Sequence, residues 1–234
     1  MTGPRRTALV TGSAGGIGRE IALALQAAGL EVVGADRLAQ TDGALARTLV
    51  VDLADAGACE AAVAEVGRVD VLVNNASVLV DRPLEDMELQ DFDRLFHVNL
   101  RAPVLLTRAV LPGMAERGWG RIINLSSVGA RTGGMSQSAV YNMTKAGVGS
   151  FTRFVARHYA ADGITSNAVA PGGVETGMTA HLDAEMRAAI VRQIPVGRMA
   201  APVEVASVVA FLVSDGASFV NGVTLDVNGG WVMA

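Results

Sequence analysis

Short apolar runs alternate with longer amphipathic stretches along this chain. The apolar runs are continuous, which is typical of strands buried on both faces of a parallel sheet. Seven such strands are predicted, at residues 7–11, 31–35, 48–51, 70–73, 121–125, 164–170 and 223–227. Between them, apolar residues recur with a helical period, which predicts helices at residues 19–28, 56–66, 89–115 and 203–213 and from the Tyr141 segment to about residue 161.

The order of these elements predicts the fold class. Strands that alternate with helices form a parallel sheet covered on both faces, so we expect an α/β protein: a single-domain Rossmann fold with a doubly wound, seven-stranded parallel sheet. Residues 1–234 then form one dinucleotide-binding and catalytic domain. Only fifteen residues separate Asp36 from Asp52, which leaves room for a short helix or coil. Pro195 and Gly197 interrupt the helical pattern of residues 176–200, which we interpret as a substrate lid.

Composition and charge narrow the possible partners. With 234 residues, of which 50% are hydrophobic and 18% charged, the chain can bury a large core. A formal net charge of -4 provides no basic field for nucleic acid. The single cysteine, Cys59, cannot form an internal disulfide, and no apolar stretch approaches the roughly 18 residues that a membrane span needs. We therefore expect a cytoplasmic protein that binds neither nucleic acid nor membrane.

A glycine-rich turn follows the first strand and precedes the first helix. Its residues Gly12, Gly16 and Gly18 place free backbone N–H groups at a helix N-terminus, which is a ready site for an anion. Asp36 ends the second strand, eighteen residues beyond Gly18, where a carboxylate can accept hydrogen bonds from a ribose 2′-hydroxyl. This favours NAD over NADP, although the adjacent Arg37 could contact a 2′-phosphate.

A tyrosine and a lysine lie four residues apart, at Tyr141 and Lys145, which places them on one face of a helix. Lys145 is the only lysine among the 19 basic residues of the chain. A phenol has an ordinary pKa near 10, and a cation beside it favours the phenolate. The pair therefore predicts acid/base chemistry near neutral pH.

Other polar residues follow the predicted strands, at the sheet edge where ligands of doubly wound folds bind. Asp52 and Leu53 end the third strand, near the expected adenine, and Asn74, Ser127 and Pro171 follow later strands. Asn99 lies within an apolar helical pattern, where a structural hydrogen bond is the alternative to a functional role. The three histidines are His97, His158 and His181, and they lack partners at metal-ligand spacing, so no metal site is predicted.

In combination, these motifs resemble the short-chain dehydrogenase/reductase family over essentially the whole chain. The family's TGxxxGIG motif is present at residues 11–18, NNA at 74–76, a strand-end serine at 127, YxxxK at 141–145 and PGxxxT at 171–176. The resemblance implies hydride transfer between a nicotinamide cofactor and a carbonyl or alcohol carbon.

The resemblance also implies a role for each matching residue. Tyr141 is the expected general acid/base, and Ser127 holds the substrate oxygen. Lys145 binds the nicotinamide ribose and lowers the Tyr141 pKa, and Asn99 supports a proton relay. The expected cofactor-binding residues are Gly12, Gly16, Ile17, Gly18, Asp36, Asp52, Leu53, Asn74, Ala76, Tyr141, Lys145, Pro171, Gly172, Val174 and Thr176.

Three positions depart from the family pattern. Ser77 replaces the usual glycine after NNA, which narrows the space near the cofactor. Ser127 precedes Tyr141 by fourteen positions where thirteen is common, so the loop 128–138 is expected to bulge. Asn228 replaces a frequent aspartate near the C-terminus.

The favoured interpretation is an NAD-dependent dehydrogenase of a small secondary alcohol, such as a polyol, sugar acid or hydroxy acid. A second candidate is an NADPH-dependent 3-oxoacyl-(acyl-carrier-protein) reductase. Arg121 matches one basic position of such reductases, whereas Asp162 stands where another basic residue is common. A third is a non-catalytic nucleotide sensor, which would be expected to lack a catalytic group. The resemblance also implies a homotetramer, paired through two long helices and the C-terminal strand.

Overall fold

A parallel sheet forms the centre of the fold. The computed structural model describes residues 5–134 and 138–233, and within them seven strands hydrogen-bond in the order β3-β2-β1-β4-β5-β6-β7. The strands are β1 (Thr7–Thr11), β2 (Glu31–Asp36), β3 (Arg47–Val50), β4 (Val71–Asn74), β5 (Gly120–Leu125), β6 (Ile164–Pro171) and β7 (Thr224–Val227). Each pairing is parallel. This confirms the predicted sheet.

Helices cover both faces of the sheet. They are α1 (Gly16–Ala27), α2 (Ala56–Val66), α3 (Leu89–Phe96), α4 (Ala102–Glu116), α5 (Gly129–Thr132), α6 (Ala139–Tyr159), α7 (Ala184–Val191) and α8 (Pro202–Val213). One apolar cluster joins the sheet to α2, α4 and α6, and a second joins it to α1 and α8. Because successive strand residues point to opposite faces, Leu9 enters the first cluster, and Ala8 and Val10 enter the second.

The helices differ from the sequence-based prediction in three places. Helix α1 begins within the glycine turn, at Gly16 rather than at residue 19. The predicted helix 89–115 contains a π-helical turn, His97–Arg101, between α3 and α4. The predicted loop 128–138 contains the short helix α5, while its residues 135–137 lie outside the described part of the chain. In residues 37–46, all of which are described, the chain is coil, as one of the two alternatives predicted.

β1 and β4 are neighbours near the centre of the sheet, and the strand order changes direction between them. β2 and β3 lie on one side of this pair, and β5, β6 and β7 lie on the other. The carboxyl ends of the two strands therefore border a crevice, since their connections leave toward opposite faces. Between β6 and α8, the chain forms a 3₁₀ turn at Gly177–Thr179 and helix α7, and a parallel bridge pairs Val174 with Ala200. Of the helices in the described residues, none has the length and apolar character to cross a membrane.

The close packing of the glycine turn generates a prediction about stability. A Cβ added at Gly18 would lie 2.0 Å from the Gly12 carbonyl oxygen. We expect Gly18→Ala to lower the free energy of unfolding by about 1–3 kcal/mol, because backbone atoms must move to relieve the contact. Urea unfolding monitored by circular dichroism measures this.

Gly15→Ala is the matched control in the same turn. Gly15 has an extended backbone, with φ of -171°, and among the described residues no atom lies within 4 Å of a Cβ built there. Its unfolding free energy should stay within about 0.5 kcal/mol of the parent. Equal effects of the two substitutions would contradict the assignment of the clash to Gly18.

Candidate active site

The turn between β1 and α1 forms a cradle of backbone. Gly12 and Gly16 have positive φ angles of 69° and 54°, which glycine adopts without strain. Gly15 precedes α1 and has no side chain to cap the helix N-terminus, so the first N–H groups of α1 are available to a ligand. A diphosphate fits this cradle, because the helix dipole favours an anion at the same point.

Asn75 holds this cradle against β4. Its Nδ2 donates to the backbone oxygens of Thr11 at 2.9 Å and Gly12 at 3.2 Å. The Thr11 hydroxyl accepts from the backbone N–H groups of Asn75 and Ala76, both at 3.0 Å. Asn75 was not predicted to be a site residue, although the NNA motif contains it. The adjacent Asn74 instead points away from the cradle.

Asn74 belongs to a buried chain of polar side chains. Its Nδ2 donates to Asn124 Oδ1 at 2.8 Å and approaches Thr107 Oγ1 at 3.4 Å, and Asn124 Nδ2 donates to Thr152 at 2.9 Å. These bonds connect α4, β4, β5 and α6. Asn74 therefore fixes α6 relative to the sheet, and it is not among the described residues that line the cavity.

A cavity of about 480 Å³ extends from the cradle to α6. Asn75 and Ser77 line this cavity. Ser77 is the residue that replaces the usual glycine of the family pattern. A smaller neighbouring cavity is lined by Asp36, Asp52 and Leu53. The predicted site residues that line the main cavity are Gly12, Gly16, Ile17, Gly18, Asp36, Ala76, Ser127, Tyr141, Lys145, Pro171, Gly172, Val174 and Thr176.

Asp36 lies at the end of β2, between the two cavities. Its Oδ2 accepts from the Ala14 N–H and its Oδ1 from the Leu38 N–H, each at 3.0 Å. These two bonds fix the direction of the carboxylate. Each oxygen keeps further lone-pair capacity, so the carboxylate can still accept from a hydroxyl.

Lys145 extends from α6 to the end of β5. Its Nζ donates to the Leu125 carbonyl oxygen at 2.8 Å and lies 5.6 Å from the centroid of the Tyr141 ring. The Ser126 hydroxyl donates to the Lys145 carbonyl at 2.9 Å, which ties the helix backbone to the same strand end. Burial disfavours the charged amine and lowers the Lys145 pKa to about 7.

Tyr141 lines the main cavity together with Ser77 and Ser127. Burial raises the pKa of the phenol, and hydrogen bonds with Ser127 and Ser77 oppose that rise. The Ser127 Oγ is itself held by the Gly129 N–H at 3.1 Å. The resemblance implies that Lys145 also lowers this pKa, and that role stays a prediction.

Asn99 lies in the π-helical turn, one layer behind the cavity. Its Oδ1 accepts from the Val78 N–H at 2.8 Å and from the Ser77 hydroxyl at 3.1 Å. Its Nδ2 donates to the Val78 oxygen at 2.9 Å. The side chain is buried and is not among the described lining residues, so it can act on the cavity only through a neighbour such as Ser77.

Comparison with known proteins decides the family. A family model described as Enoyl-(Acyl carrier protein) reductase matches residues 12–232. A 3-oxoacyl-(acyl-carrier-protein) reductase of Salmonella typhimurium is 41% identical over 239 residues, which cover 97% of this chain and 98% of that protein. The chain belongs to the short-chain dehydrogenase/reductase family. This confirms the resemblance seen in the sequence.

Two solved structures of this family are similar in fold and in sequence. A provisionally assigned 2-deoxy-d-gluconate 3-dehydrogenase of Agrobacterium tumefaciens, with bound NADP, is 37% identical with a TM-score of 0.91 and covers 97% of this chain and 96% of its own. A provisionally assigned NAD(P)-dependent gluconate 5-dehydrogenase of Beutenbergia cavernae, with NADP at low occupancy, is 38% identical with a TM-score of 0.92 and the same coverage.

This short-chain dehydrogenase/reductase is an oxidoreductase that acts on CH–OH or keto groups with a nucleotide cofactor. The cradle, the Asp36 carboxylate and the hydroxyl-lined cavity agree with that chemistry. Arg131, in α5, pairs with Asp226 at 3.1 Å and donates to the Thr224 oxygen.

The buried Lys145 amine leads to a prediction for the protein without cofactor. The folded pKa of about 7 lies below the ordinary value of 10.5, so between these values the unfolded state binds more protons and stability rises with pH. We expect Lys145→Met to be more stable than the parent below pH 7. That advantage should shrink toward pH 10, by at most roughly 1.4 kcal/mol per pH unit.

Urea unfolding of both proteins across this pH range measures the difference. Lys145→Met also removes the bond to the Leu125 oxygen, a loss that does not depend on pH. A constant difference between the two proteins at all pH values would show that the amine keeps its ordinary pKa in the folded state.

Proposed function

We propose that this protein is an NAD(H)-dependent dehydrogenase of a small secondary alcohol, such as a polyol, sugar acid or hydroxy acid. One observation carries the proposal: the Tyr141 phenol, three serines and the only lysine border the same cavity as the glycine cradle and Asp36. A dinucleotide bound in the cradle would thus have an acid/base group within the same enclosed space.

The proposed reaction assigns a separate task to each residue. In alcohol oxidation, the substrate O–H gives its proton to the Tyr141 phenolate, and the carbinol hydrogen leaves with its electron pair as the C=O bond forms. The nicotinamide ring of NAD supplies the hydride acceptor. Ser127 donates to the substrate oxygen, and Lys145 holds the nicotinamide ribose and favours the phenolate.

The preference for NAD rests on Asp36. Its carboxylate would repel a 2′-phosphate and accept from a 2′-hydroxyl. Among the described residues of the main cavity, Lys145 is the only basic one, and it lies on α6 rather than beside Asp36. Arg37 and Arg94 line the smaller cavity. Arg37 is adjacent to Asp36 and would favour NADP, which both related structures bind.

The second candidate is a 3-oxoacyl-(acyl-carrier-protein) reductase, favoured by the 41% identity to the Salmonella typhimurium protein. The structure provides an argument against carrier docking at Arg121. This residue is only 4% exposed, packs over the Trp119 ring and donates to the Gly120 oxygen at 2.9 Å. Asp162, near the start of β6, occupies the second position where such reductases commonly have a basic residue. The two matching positions therefore offer no open pair of basic side chains.

The remaining parts of the proposal concern the lid, the assembly and the location. Residues 176–200 are proposed as the lid, because Thr176, Met178 and Thr179 line the cavity and the Val174–Ala200 bridge fixes both ends of the segment. A homotetramer paired through two long helices and the C-terminal strand is proposed from the family resemblance, and the apolar side chains that α6 and α8 expose are consistent with contacts between subunits. The exposed large hydrophobic residues on these two helices are Met143, Phe154, Val203 and Phe211. A cytoplasmic location also stays a prediction.

Replacing the phenol tests the acid/base assignment. We expect Tyr141→Phe to lower kcat by about 10²–10⁴-fold, because general acid/base catalysis contributes that much. Turnover is measured by absorbance of the reduced cofactor with sorbitol, gluconate and 3-hydroxybutyrate. Cofactor binding, measured by fluorescence of the reduced cofactor, should persist.

Tyr159→Phe is the control, since Tyr159 ends the same helix and packs against the apolar core. It should keep parental turnover. A Tyr141→Phe enzyme that retained full activity would show that another group transfers the proton.

Asp36 generates a separate prediction about the cofactor. The parent should turn over NAD with at least about tenfold higher kcat/KM than NADP, and Asp36→Ala should narrow that ratio by removing the repulsion of the 2′-phosphate. Steady-state rates with both cofactors measure it, and reduction of a 3-oxoacyl thioester with NADPH tests the second candidate.

Asp42→Asn is the control, because this exposed carboxylate pairs with Arg19 outside the described cavity lining. Its cofactor ratio should match the parent. Comparable rates with NADP in the parent would contradict the role given to Asp36.

A further inference from the structure

Ser77 carries a hydroxyl where the family motif has a glycine. Its Oγ donates to Asn99 Oδ1 at 3.1 Å. Ser77 and Tyr141 line the same cavity, and the Ser77 hydroxyl is one of the two that oppose the rise in the Tyr141 pKa. The side chain is partly exposed and lines both cavities. Ser77 therefore bridges the phenol of the cavity and an amide that does not itself reach the cavity lining.

We propose that Ser77 is a positioning residue that connects the Tyr141 phenol to Asn99 and, when its hydroxyl rotates, stabilises the Tyr141 phenolate. The proposal rests on the proposed function of Tyr141 as the acid/base group. It adds a second hydroxyl partner to the phenol, besides Ser127.

A serine hydroxyl has one donor and two acceptor lone pairs, so it can serve both states of the tyrosine. When Tyr141 is a phenol, its O–H can donate to Ser77 Oγ while Ser77 donates to Asn99. When Tyr141 loses its proton, rotation of the Ser77 hydroxyl directs its hydrogen to the phenolate. No proton leaves Ser77, and one hydrogen bond replaces another.

Asn99 tolerates this rotation because its amide is anchored elsewhere. Its Oδ1 keeps the Val78 N–H at 2.8 Å, and its Nδ2 keeps the Val78 oxygen at 2.9 Å. The Asn99 oxygen is therefore not left without a donor when Ser77 turns away. The same two bonds hold Asn99 and the chain after β4 together without Ser77, so its hydroxyl is not needed as a tether.

The test removes and restores the hydroxyl while the ionisation of Tyr141 is followed. The chain has two tyrosines, so in a Tyr159→Phe background the ultraviolet signal of tyrosinate reports Tyr141 alone. With NAD bound, Ser77→Ala should raise the midpoint of this titration by about one pH unit. Alcohol oxidation below the midpoint should then slow by about tenfold.

Three further variants make the result specific. Ser77→Gly, the residue of the family motif, should produce the same rise if Ser77→Ala folds poorly. Ser77→Thr restores a hydroxyl and should return the midpoint toward the parent. Ser207→Ala is the control, because this exposed serine on α8 donates to the Val203 oxygen, and it should leave the midpoint unchanged.

Two results would overturn the role of Ser77. One is an unchanged midpoint in Ser77→Ala and Ser77→Gly, and the other is an equal rise in Ser77→Thr, since the effect would then not follow the hydroxyl. The proposed function fails separately, through a Tyr141→Phe enzyme that remains active. An inactive Tyr141→Phe with an unchanged Ser77→Ala midpoint removes only the inference about Ser77.

Discussion

The burial of one amine beside one phenol is the constraint on which the rest of the site depends. A buried ammonium is unfavourable unless a polar partner compensates for lost water, and Lys145 has the carbonyl oxygen at the end of β5 as that partner. This contact requires α6 to approach the end of β5 closely. The Ser126 hydroxyl and the chain of bonds from Thr107 to Thr152 hold the helix at that position.

The fold supplies this geometry because adjacent strands of the sheet end at one edge. β1 delivers the glycine cradle, β4 the asparagines and β5 the serines, and these three strands are neighbours in the sheet. Asn75 bonds the cradle to β4, and Asn74 bonds β4 to β5. The anion cradle and the acid/base groups are thus held at a fixed separation by hydrogen bonds between neighbouring strands.

Much of this arrangement was predictable from residue patterns. Continuous apolar runs located each of the seven strands to within one or two residues, and the helix 56–66 was predicted with the observed ends. The π-helical turn at Asn99 was not predicted. The spacing of apolar residues along a helix changes little when one turn contains an extra residue, so this spacing does not reveal a π-helical turn. Asn74 and Asn75 could not be distinguished either, since adjacent strand-end residues point to opposite sides and only the register decides which one meets the cradle.

The pKa shifts in the site were harder to predict than the identity of the residues that form it. The spacing of Tyr141 and Lys145 shows that they share a helix face, but the loss of water around each depends on tertiary packing. That packing raises one pKa and lowers the other. Ser77 was visible in the sequence as an unusual residue, while its bond to Asn99 and its place in the cavity of Tyr141 required the fold.

The presence of one lysine in the whole chain also has a chemical consequence. Apart from the α-amino group, amine-reactive reagents have a single target, and that target borders the cavity. Labelling of the ε-amine would therefore report how open this cavity is, and a bound dinucleotide should protect the protein from it.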